Sequence, residues 1–412
     1  MSSRIATILV LTGVIAAGLT SCAAPAEQRI MPADEGGNSG DGHGAVAGAE
    51  EVAEPQLGLT IIDPDGAVTH LDLLDESVAE LGDVEAPRAL STDGRYLFSQ
   101  SGNGVDIIDS GVWTWDHIDH FHYYRAAPAL LGTLQGEGSA TVATTNLSTA
   151  GGTGVFFAGS GDAVLLDTEA LSKGEIAERF RMKVDPHEGL VVPVGSFALV
   201  TQIDGAQGAS VVGYTSEGEP TGLEERCADP AGTITTRVGA VIGCADGALL
   251  ATVSDEGLTV ERIPYPADVD APAATRFQNR EGRPTVAALA GDEGIWILDT
   301  RERTWKLLPV PALLASVTAV DDEEGHVLAL ARDGRVLVLS SADGSVLAKT
   351  KPLVAESLTA GASPTLTADQ HRAYLSAPSE RRLYEIDYAD GARLARTFQT
   401  STEPAFVAET GR

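Results

Sequence analysis

The sequence predicts an all-β protein with a β-propeller fold, and three observations support this prediction. First, apolar runs joined by Gly/Asp/Asn turns recur along the chain, as in "RYLFSQSGNGVDIID" from position 95 and "HVLALARDGRVLVLS" from position 326. Such pairs of runs are typical of β-hairpins. Second, the hairpins begin at intervals of 41 to 46 residues, apart from one interval of 59. Third, most hairpins have a further apolar run before and after them, which completes the four strands of a propeller blade.

The two ends of this region predict how the propeller closes. Residues 57–73, "LGLTIIDPDGAVTHLDL", have hairpin character but no clear leading strand, and "AFVAE" at 405–409 is a single strand. Together they would form one blade from both ends of the chain. We therefore expect a propeller domain over 57–412 with four-stranded antiparallel blades, seven or eight in number, with eight favoured. A β-sandwich is the competing architecture, and the even spacing of the hairpins argues against it.

The N-terminal segment predicts export and a lipid anchor. "MSSR" is followed by the apolar run 5–19, which is shorter than the roughly 20 residues of a membrane span and is typical of a secretory signal. "LTSC" at 19–22 resembles the lipobox of bacterial lipoproteins, in which the cysteine, here Cys22, is lipidated. We expect a signal peptide over 1–21 and a protein held on the outer face of the cytoplasmic membrane. A cleaved signal with an incidental cysteine is the alternative.

Residues 22–56 are predicted to be a flexible acidic tether. The segment is rich in Ala, Gly, Pro, Asp and Glu and has few large apolar residues, so it cannot offset its ordering entropy by burial. The chain as a whole has 28 Lys and Arg against 59 Asp and Glu, a formal charge of −31. So acidic a protein repels nucleic acid, and we expect no nucleic-acid partner.

Two cysteines, Cys227 and Cys244, follow Cys22 in the sequence. In an exported protein a disulfide between them is the default expectation. A pair of thiolate metal ligands is the alternative, although such pairs usually have closer spacing.

A cluster of histidines and aspartates lies in the one overlong interval. "WDHIDHFH" at 115–122 contains three of the eight histidines of the chain. Imidazole and carboxylate are ligands of zinc, which takes about four of them. In an extended segment His120 and His122 would project to one side, and His117 and Asp119 to the other. In a helical turn His117 would instead lie beside His120, and Asp119 beside His122.

Neither geometry places all four side chains on one ion, so we expect two or three ligands from the cluster and one from elsewhere. His187 in "KVDPHEGL" is the candidate for the distant ligand. Simple packing of the histidines against Phe121 and Tyr123 is the alternative. Three further histidines stand alone in the sequence, and we assign them structural or surface roles: His70, His326 and His371.

The segment around the cluster resembles the AztD-type zinc metallochaperones, which are secreted β-propeller proteins encoded with zinc ABC importers. The resemblance rests on "IDSG" at 108–111, "DHIDHFH" at 116–122 and "APAL" at 127–130. Further matches are "DPHEGLVVPVG" at 185–195, the cysteine pair and "IPYP" at 263–266. Glu188 stands where family members have a second histidine. The resemblance implies Zn²⁺ as the cargo and the solute-binding protein of a zinc ABC transporter as the partner. We expect the protein to be a monomer.

Two other classes of function compete with this one. A non-catalytic propeller lipoprotein could bind another envelope protein or a glycan, with a degenerate metal site. An enzyme is disfavoured, because the sequence contains neither a G-x-S-x-G nucleophile motif nor a phosphate-binding loop. We therefore predict a protein without enzymatic activity.

Overall fold

The computed structural model describes residues 44–116, 120–205 and 208–411. The first strands are β1 (Glu50–Val52), β2 (Gly58–Ile62), β3 (Ala67–Asp72), β4 (Val78–Asp83), β5 (Ala89–Thr92), β6 (Tyr96–Gln100), β7 (Gly104–Asp109), β8 (Val112–Asp116), β9 (Phe121–Arg125) and β10 (Ala129–Gln135). The next are β11 (Ala140–Ala143), β12 (Gly152–Phe157), β13 (Asp162–Asp167), β14 (Glu178–Lys183), β15 (Val191–Val194), β16 (Phe197–Asp204), β17 (Gly208–Thr215), β18 (Pro220–Arg226), β19 (Thr233–Thr235), β20 (Ala240–Cys244), β21 (Gly247–Ser254) and β22 (Gly257–Pro264).

The C-terminal part has β23 (Phe277–Gln278), β24 (Thr285–Leu289), β25 (Ile295–Asp299), β26 (Thr304–Leu308), β27 (Leu314–Ala319), β28 (His326–Ala331), β29 (Val336–Ser340), β30 (Val346–Lys349), β31 (Leu366–Ala368), β32 (Ala373–Ala377), β33 (Arg382–Asp387), β34 (Arg393–Gln399) and β35 (Phe406–Thr410). Helical structure in the described residues is limited to α1 (Thr168–Ser172), α2 (Ala355–Thr359) and a 3₁₀ turn at Gly291–Glu293. No helix among these elements is long and apolar enough to span a membrane.

The strands form four-stranded antiparallel sheets, eight of them in the described part of the chain. Six sheets consist of four consecutive strands, from β11–β14 to β31–β34. One is interrupted and has the order β5-β6-β7-β10, and one joins the two ends in the order β35-β2-β3-β4. The last sheet is the closure predicted from the sequence: Gly58 pairs with Thr410, and Ile62 with Phe406. The predicted all-β propeller fold is confirmed.

The apolar core lies between neighbouring sheets. Middle strands such as β6 and β7 are buried along their whole length, because both of their faces are covered. Outer strands such as β34 have exposed positions. One buried cluster joins Val338 of β29 to Leu375 of β32, and similar clusters join other pairs of sheets. This packing explains the continuous apolar runs of the repeat.

The first strand of each sheet faces the propeller axis. A cavity of about 300 Å³ at the axis is lined by residues of β5, β11, β19, β23, β27, β31 and β35. A hydroxyl group links two of these inner segments, since Thr235 Oγ1 of β19 donates to the carbonyl of Thr144, just after β11, at 2.6 Å. The cavity lining is therefore polar as well as apolar.

Strand direction distinguishes two ends of the propeller. Adjacent strands are antiparallel, so the first-to-second and third-to-fourth connections of every sheet lie at one end. The remaining connections lie at the other end. The insertion β8–β9 separates the third strand β7 from the fourth strand β10. We call the end that carries this insertion the hairpin end, and the other the opposite end.

Part of the predicted tether has regular structure. β1, residues 50–52, pairs with β9 and completes a three-stranded sheet of order β1-β9-β8. The composition of the segment gave no sign of this pairing, because β1 has no long apolar run. β1 is ordered because it pairs with the edge of β9 that β8 leaves open.

Candidate metal centre

The predicted metal-binding cluster lies on the inserted hairpin. β8 and β9 pair from Val112 with Arg125 to Asp116 with Phe121. The cluster residues His117 and Asp119 lie outside the described residues, and their roles stay predictions. His120 and His122 are described: His122 is the second residue of β9, and His120 directly precedes that strand.

The base of the hairpin is fixed by buried contacts. Trp113 of β8 is 2% exposed and stacks on Tyr124 of β9, with ring centroids 5.3 Å apart. The guanidinium carbon of Arg95 lies 3.7 Å from the centre of the Trp113 ring. Arg95 in turn donates two hydrogen bonds to Asp109, at 2.9 and 2.7 Å. A cation–π contact and a bidentate ion pair in a buried setting give the hairpin a rigid base.

The segment that precedes β1 also contacts the hairpin. The Trp113 indole N–H donates to the carbonyl of Gly44 at 3.1 Å. Gly44 has φ of +74°, and a Cβ there would lie 2.6 Å from the ring of Trp115, so only glycine fits. Trp115 is the cross-strand neighbour of His122. The segment before β1 is thus part of the support for the histidines.

The ring nitrogens of His120 and His122 face each other. Their Nε2 atoms are 2.9 Å apart, and their ring centroids 4.7 Å apart. His122 also stacks over Tyr124, two residues further along the same face of β9. The alternation agrees with the extended geometry considered from the sequence, in which His120 and His122 share a side.

This separation suits a shared metal ion. Two nitrogens on a tetrahedral zinc, each about 2.0–2.1 Å from it, are roughly 3.4 Å apart. A small outward movement of His120, which is exposed, would make that room. Without an ion, one Nε2 carries a hydrogen and donates to the other. The same two atoms can therefore hold either a proton or a metal.

A carboxylate orients His122 from the first strand. Nδ1 of His122 lies 2.7 Å from Oε1 of Glu51 in β1. A carboxylate on one ring nitrogen fixes the tautomer and leaves the other nitrogen as the metal ligand. Glu51 was missed by the sequence analysis, since it lies about 70 residues before the cluster in a segment predicted to be a tether. Only the β1–β9 pairing reveals it.

The structure does not bring His187 to the hairpin. Nδ1 of His187 lies 2.7 Å from the carbonyl oxygen of Asp185, and Nε2 lies 2.9 Å from Oγ1 of Thr201. The ring packs edge-on against Phe156. His187 precedes β15, so it lies in a connection from a fourth strand to the next first strand, at the opposite end. The expectation of a distant ligand from His187 therefore needs correction, because strand direction separates it from the cluster.

The predicted disulfide is present. The sulfur atoms of Cys227 and Cys244 are 2.06 Å apart, and both residues are buried. The bond joins the connection after β18 to the end of β20, within the apolar cluster between two sheets. The cysteines are thus unavailable as metal ligands.

An ionisable group faces the axial cavity at the hairpin end. Asp93 follows β5 and is 6% exposed. Burial raises its pKa to about 7, and the charge of Glu281 contributes in the same direction. The backbone N–H groups of Arg95 and Tyr96 donate to Asp93 Oδ1 and partly oppose this rise.

Known proteins show a similar chain and fold. No family model matches. The protein named zinc chaperone AztD from Citrobacter koseri is 23% identical over 345 residues, which are 80% of this chain and 80% of that protein. Two crystal structures of AztD from the same organism, one of them apo, have TM-scores of 0.74 at 20% and 21% identity, and cover 87% of this chain and 99% of theirs. The resemblance to AztD-type proteins inferred from the motifs is confirmed, and the structural likeness establishes the fold.

Proposed function

We propose that this protein is a zinc chaperone without enzymatic activity. It would bind Zn²⁺ at the inserted hairpin and pass it to the solute-binding protein of a zinc ABC transporter. The observation that carries the proposal is the 2.9 Å approach of His120 Nε2 to His122 Nε2, with Glu51 behind His122. The similarity to a protein named zinc chaperone AztD supports the same function.

In this proposal zinc is the cargo, and three of the described residues would hold it. His120 and His122 would supply Nε2 ligands, and Glu51 would orient His122. His117 and Asp119 are proposed to complete the set. Because His120 is exposed, a partner protein could reach the ion and replace the ligands one at a time.

We propose that the protein acts on the outer face of the bacterial cytoplasmic membrane. Residues 1–21 would direct export, and lipidated Cys22 would anchor the chain there. The tether 22–56 would then carry the propeller, with its last residues pairing to the hairpin. Such an anchor would keep the chaperone close to an importer in the same membrane.

Zinc binding is tested by removing both described ligands. The variant H120A/H122A should lose one tight equivalent of zinc, with affinity at least about 100-fold lower, because two ligands are gone. The measurement is competition with a chromophoric chelator. H371A is the matched control, since His371 is exposed and far along the sequence from the cluster. An affinity of H120A/H122A equal to that of H371A would refute the proposed site.

Delivery is tested separately from binding. Zinc-loaded protein is mixed with the zinc-free solute-binding protein of a zinc importer, the two are separated, and the metal in each is measured. We expect transfer that is faster than release of zinc to an equal concentration of chelator. Transfer no faster than that release would leave a zinc-binding protein but refute the chaperone.

A further inference from the structure

A second group of metal-ligand residues lies in the turn between β27 and β28. Asp322, Glu324 and His326 each offer one ligand atom, and these atoms all lie within 4.8 Å of one another. The turn is a first-to-second connection, so it belongs to the hairpin end of the propeller. It is contributed by a different sheet from the hairpin. The sequence predicts a structural or surface role for His326, because it stands alone among the histidines.

The ring of His326 is buried and held in one orientation. His326 is 9% exposed, and its Nδ1 lies 2.6 Å from Oδ2 of Asp322. The backbone N–H of His326 donates to the other carboxylate oxygen of Asp322 at 2.8 Å. Tyr388 packs edge-on against the ring, with centroids 5.7 Å apart. The imidazole is therefore preorganised.

The hydrogen bond between His326 and Asp322 marks the place where a cation would bind. Nδ1 of His326 and Oδ2 of Asp322 are 2.6 Å apart and share one proton. Nε2 of His326 has no hydrogen-bond partner among the described residues, so a neutral ring can carry its hydrogen there. The lone pair of Nδ1 then faces Asp322, and a metal ion in place of the shared proton would contact both atoms.

The negative charge of the turn is only partly neutralised. Asp321 accepts from Arg283 at 3.2 Å and from Arg301 at 3.0 Å. Asp322 and Glu324, by contrast, make no ion pair with lysine or arginine in the described part of the chain. A cation at these two carboxylates would supply the missing positive charge.

One arginine lies near the turn without pairing to the two carboxylates. The guanidinium of Arg280 donates to the backbone carbonyls of Val320 and Asp321, at 2.9 and 3.4 Å. Its positive charge still acts on Asp322 and weakens cation binding to some extent. The remaining acid of the turn, Glu323, is also exposed and adds negative charge.

We propose that Asp322, Glu324 and His326 form a second divalent-metal site, separate from the hairpin. One imidazole and two carboxylates favour Zn²⁺ or a similar first-row ion over Ca²⁺ and Mg²⁺, which prefer oxygen ligands alone. Three protein ligands leave a fourth position for water. Ligands of one zinc are closer together than 4.8 Å, and the exposed Glu324 side chain is the one that would rotate inward.

The test uses Zn²⁺ as the probe and H120A/H122A/H117A as the background, which removes all three histidines of the hairpin cluster. Metal bound after equilibrium dialysis should be one equivalent per chain. Adding E324Q or H326Q should weaken this binding at least about tenfold, because each removes a ligand. E323Q is the matched control, since Glu323 is the exposed neighbour outside the group, and it should have little effect.

The proposal is overturned if the background variant binds no zinc, or if E324Q binds as tightly as E323Q. H326Q replaces a buried residue and could unfold the turn, so E324Q, at an exposed position, decides in that case. The result is independent of the hairpin. Loss of zinc from the hairpin alone would refute neither the second site nor its ligands.

Discussion

The two ends of the propeller both present histidine beside acidic residues, but the nitrogen atoms of these histidines have different surroundings at the two ends. At the hairpin end, Nε2 of His120 faces Nε2 of His122 at 2.9 Å. At the opposite end, both nitrogens of His187 have partners in the backbone or a threonine hydroxyl. The difference shows that a site is defined by where the nitrogen atoms point, and residue type alone does not decide it.

The hairpin end also holds an acid whose ionisation depends on the fold. Burial raises the pKa of Asp93 there to about 7. At the opposite end Asp185 and Glu188 beside His187 are exposed. Three experiments sharpen this contrast, beginning with the largest expected effect.

The first concerns pH and Asp93. The unfolded chain releases this proton near pH 4, and the folded chain keeps it until about pH 7. Within this window the folded state binds the extra proton, so the free energy of unfolding should fall as pH rises. The slope is about 1.4 kcal/mol per pH unit, or about 4 kcal/mol in all, and it vanishes above pH 7.

D93N should flatten this profile, since its amide oxygen can still accept from the N–H groups of Arg95 and Tyr96. The measurement is urea unfolding at intervals from pH 4.5 to 7.5. D185N, at the exposed acid of the opposite end, is the control and should keep the wild-type slope. A D93N profile parallel to that of the wild type would show that Asp93 does not cause the pH dependence of the free energy of unfolding.

The second experiment concerns the carboxylate behind His122. E51A should lower zinc affinity by about 10- to 100-fold, because the ring loses the partner that fixes its tautomer. E50A is the control, since neighbouring residues of a strand project to opposite faces. Chelator competition measures both. Equal affinities for the two variants would mean that the ion does not depend on Glu51.

The third and smallest effect concerns His187. H187A should leave zinc affinity unchanged and lower the free energy of unfolding by about 1 kcal/mol, the contribution of a hydrogen bond such as that to Thr201. H371A serves again as the control for stability. A clear loss of zinc affinity in H187A would show that His187, at the opposite end, contributes to zinc binding after all.

The propeller could be predicted from the sequence because its repeat consists of apolar runs at regular intervals. Runs such as β6 and β7 are strands buried on both faces, so their signal is strong and local. The closing sheet was predictable for the same reason, since β2 and β35 are recognisable strands without partners nearby in the sequence. The histidine cluster was predictable as a site because it interrupts the regular spacing.

Other parts of the site depend on pairing between distant segments. Glu51 reaches His122 only because β1 pairs with β9, and the composition of 22–56 favours disorder instead. Strand direction separates His187 from the cluster, because the cluster follows a third strand and His187 precedes a first one. The approach of His326 Nδ1 to Asp322 Oδ2, in contrast, depends on side-chain geometry that no spacing reveals.

The closing sheet has a consequence for the order of folding. β35 follows the other propeller strands in the sequence, and it pairs with β2, which precedes them. Until these two strands meet, β2 has an unpaired edge, which is open to wrong partners. Contacts between segments so far apart in the sequence also form slowly. Pairing of β2 with β35 should therefore be a late step, and the edge of β2 is the surface that stays unprotected longest.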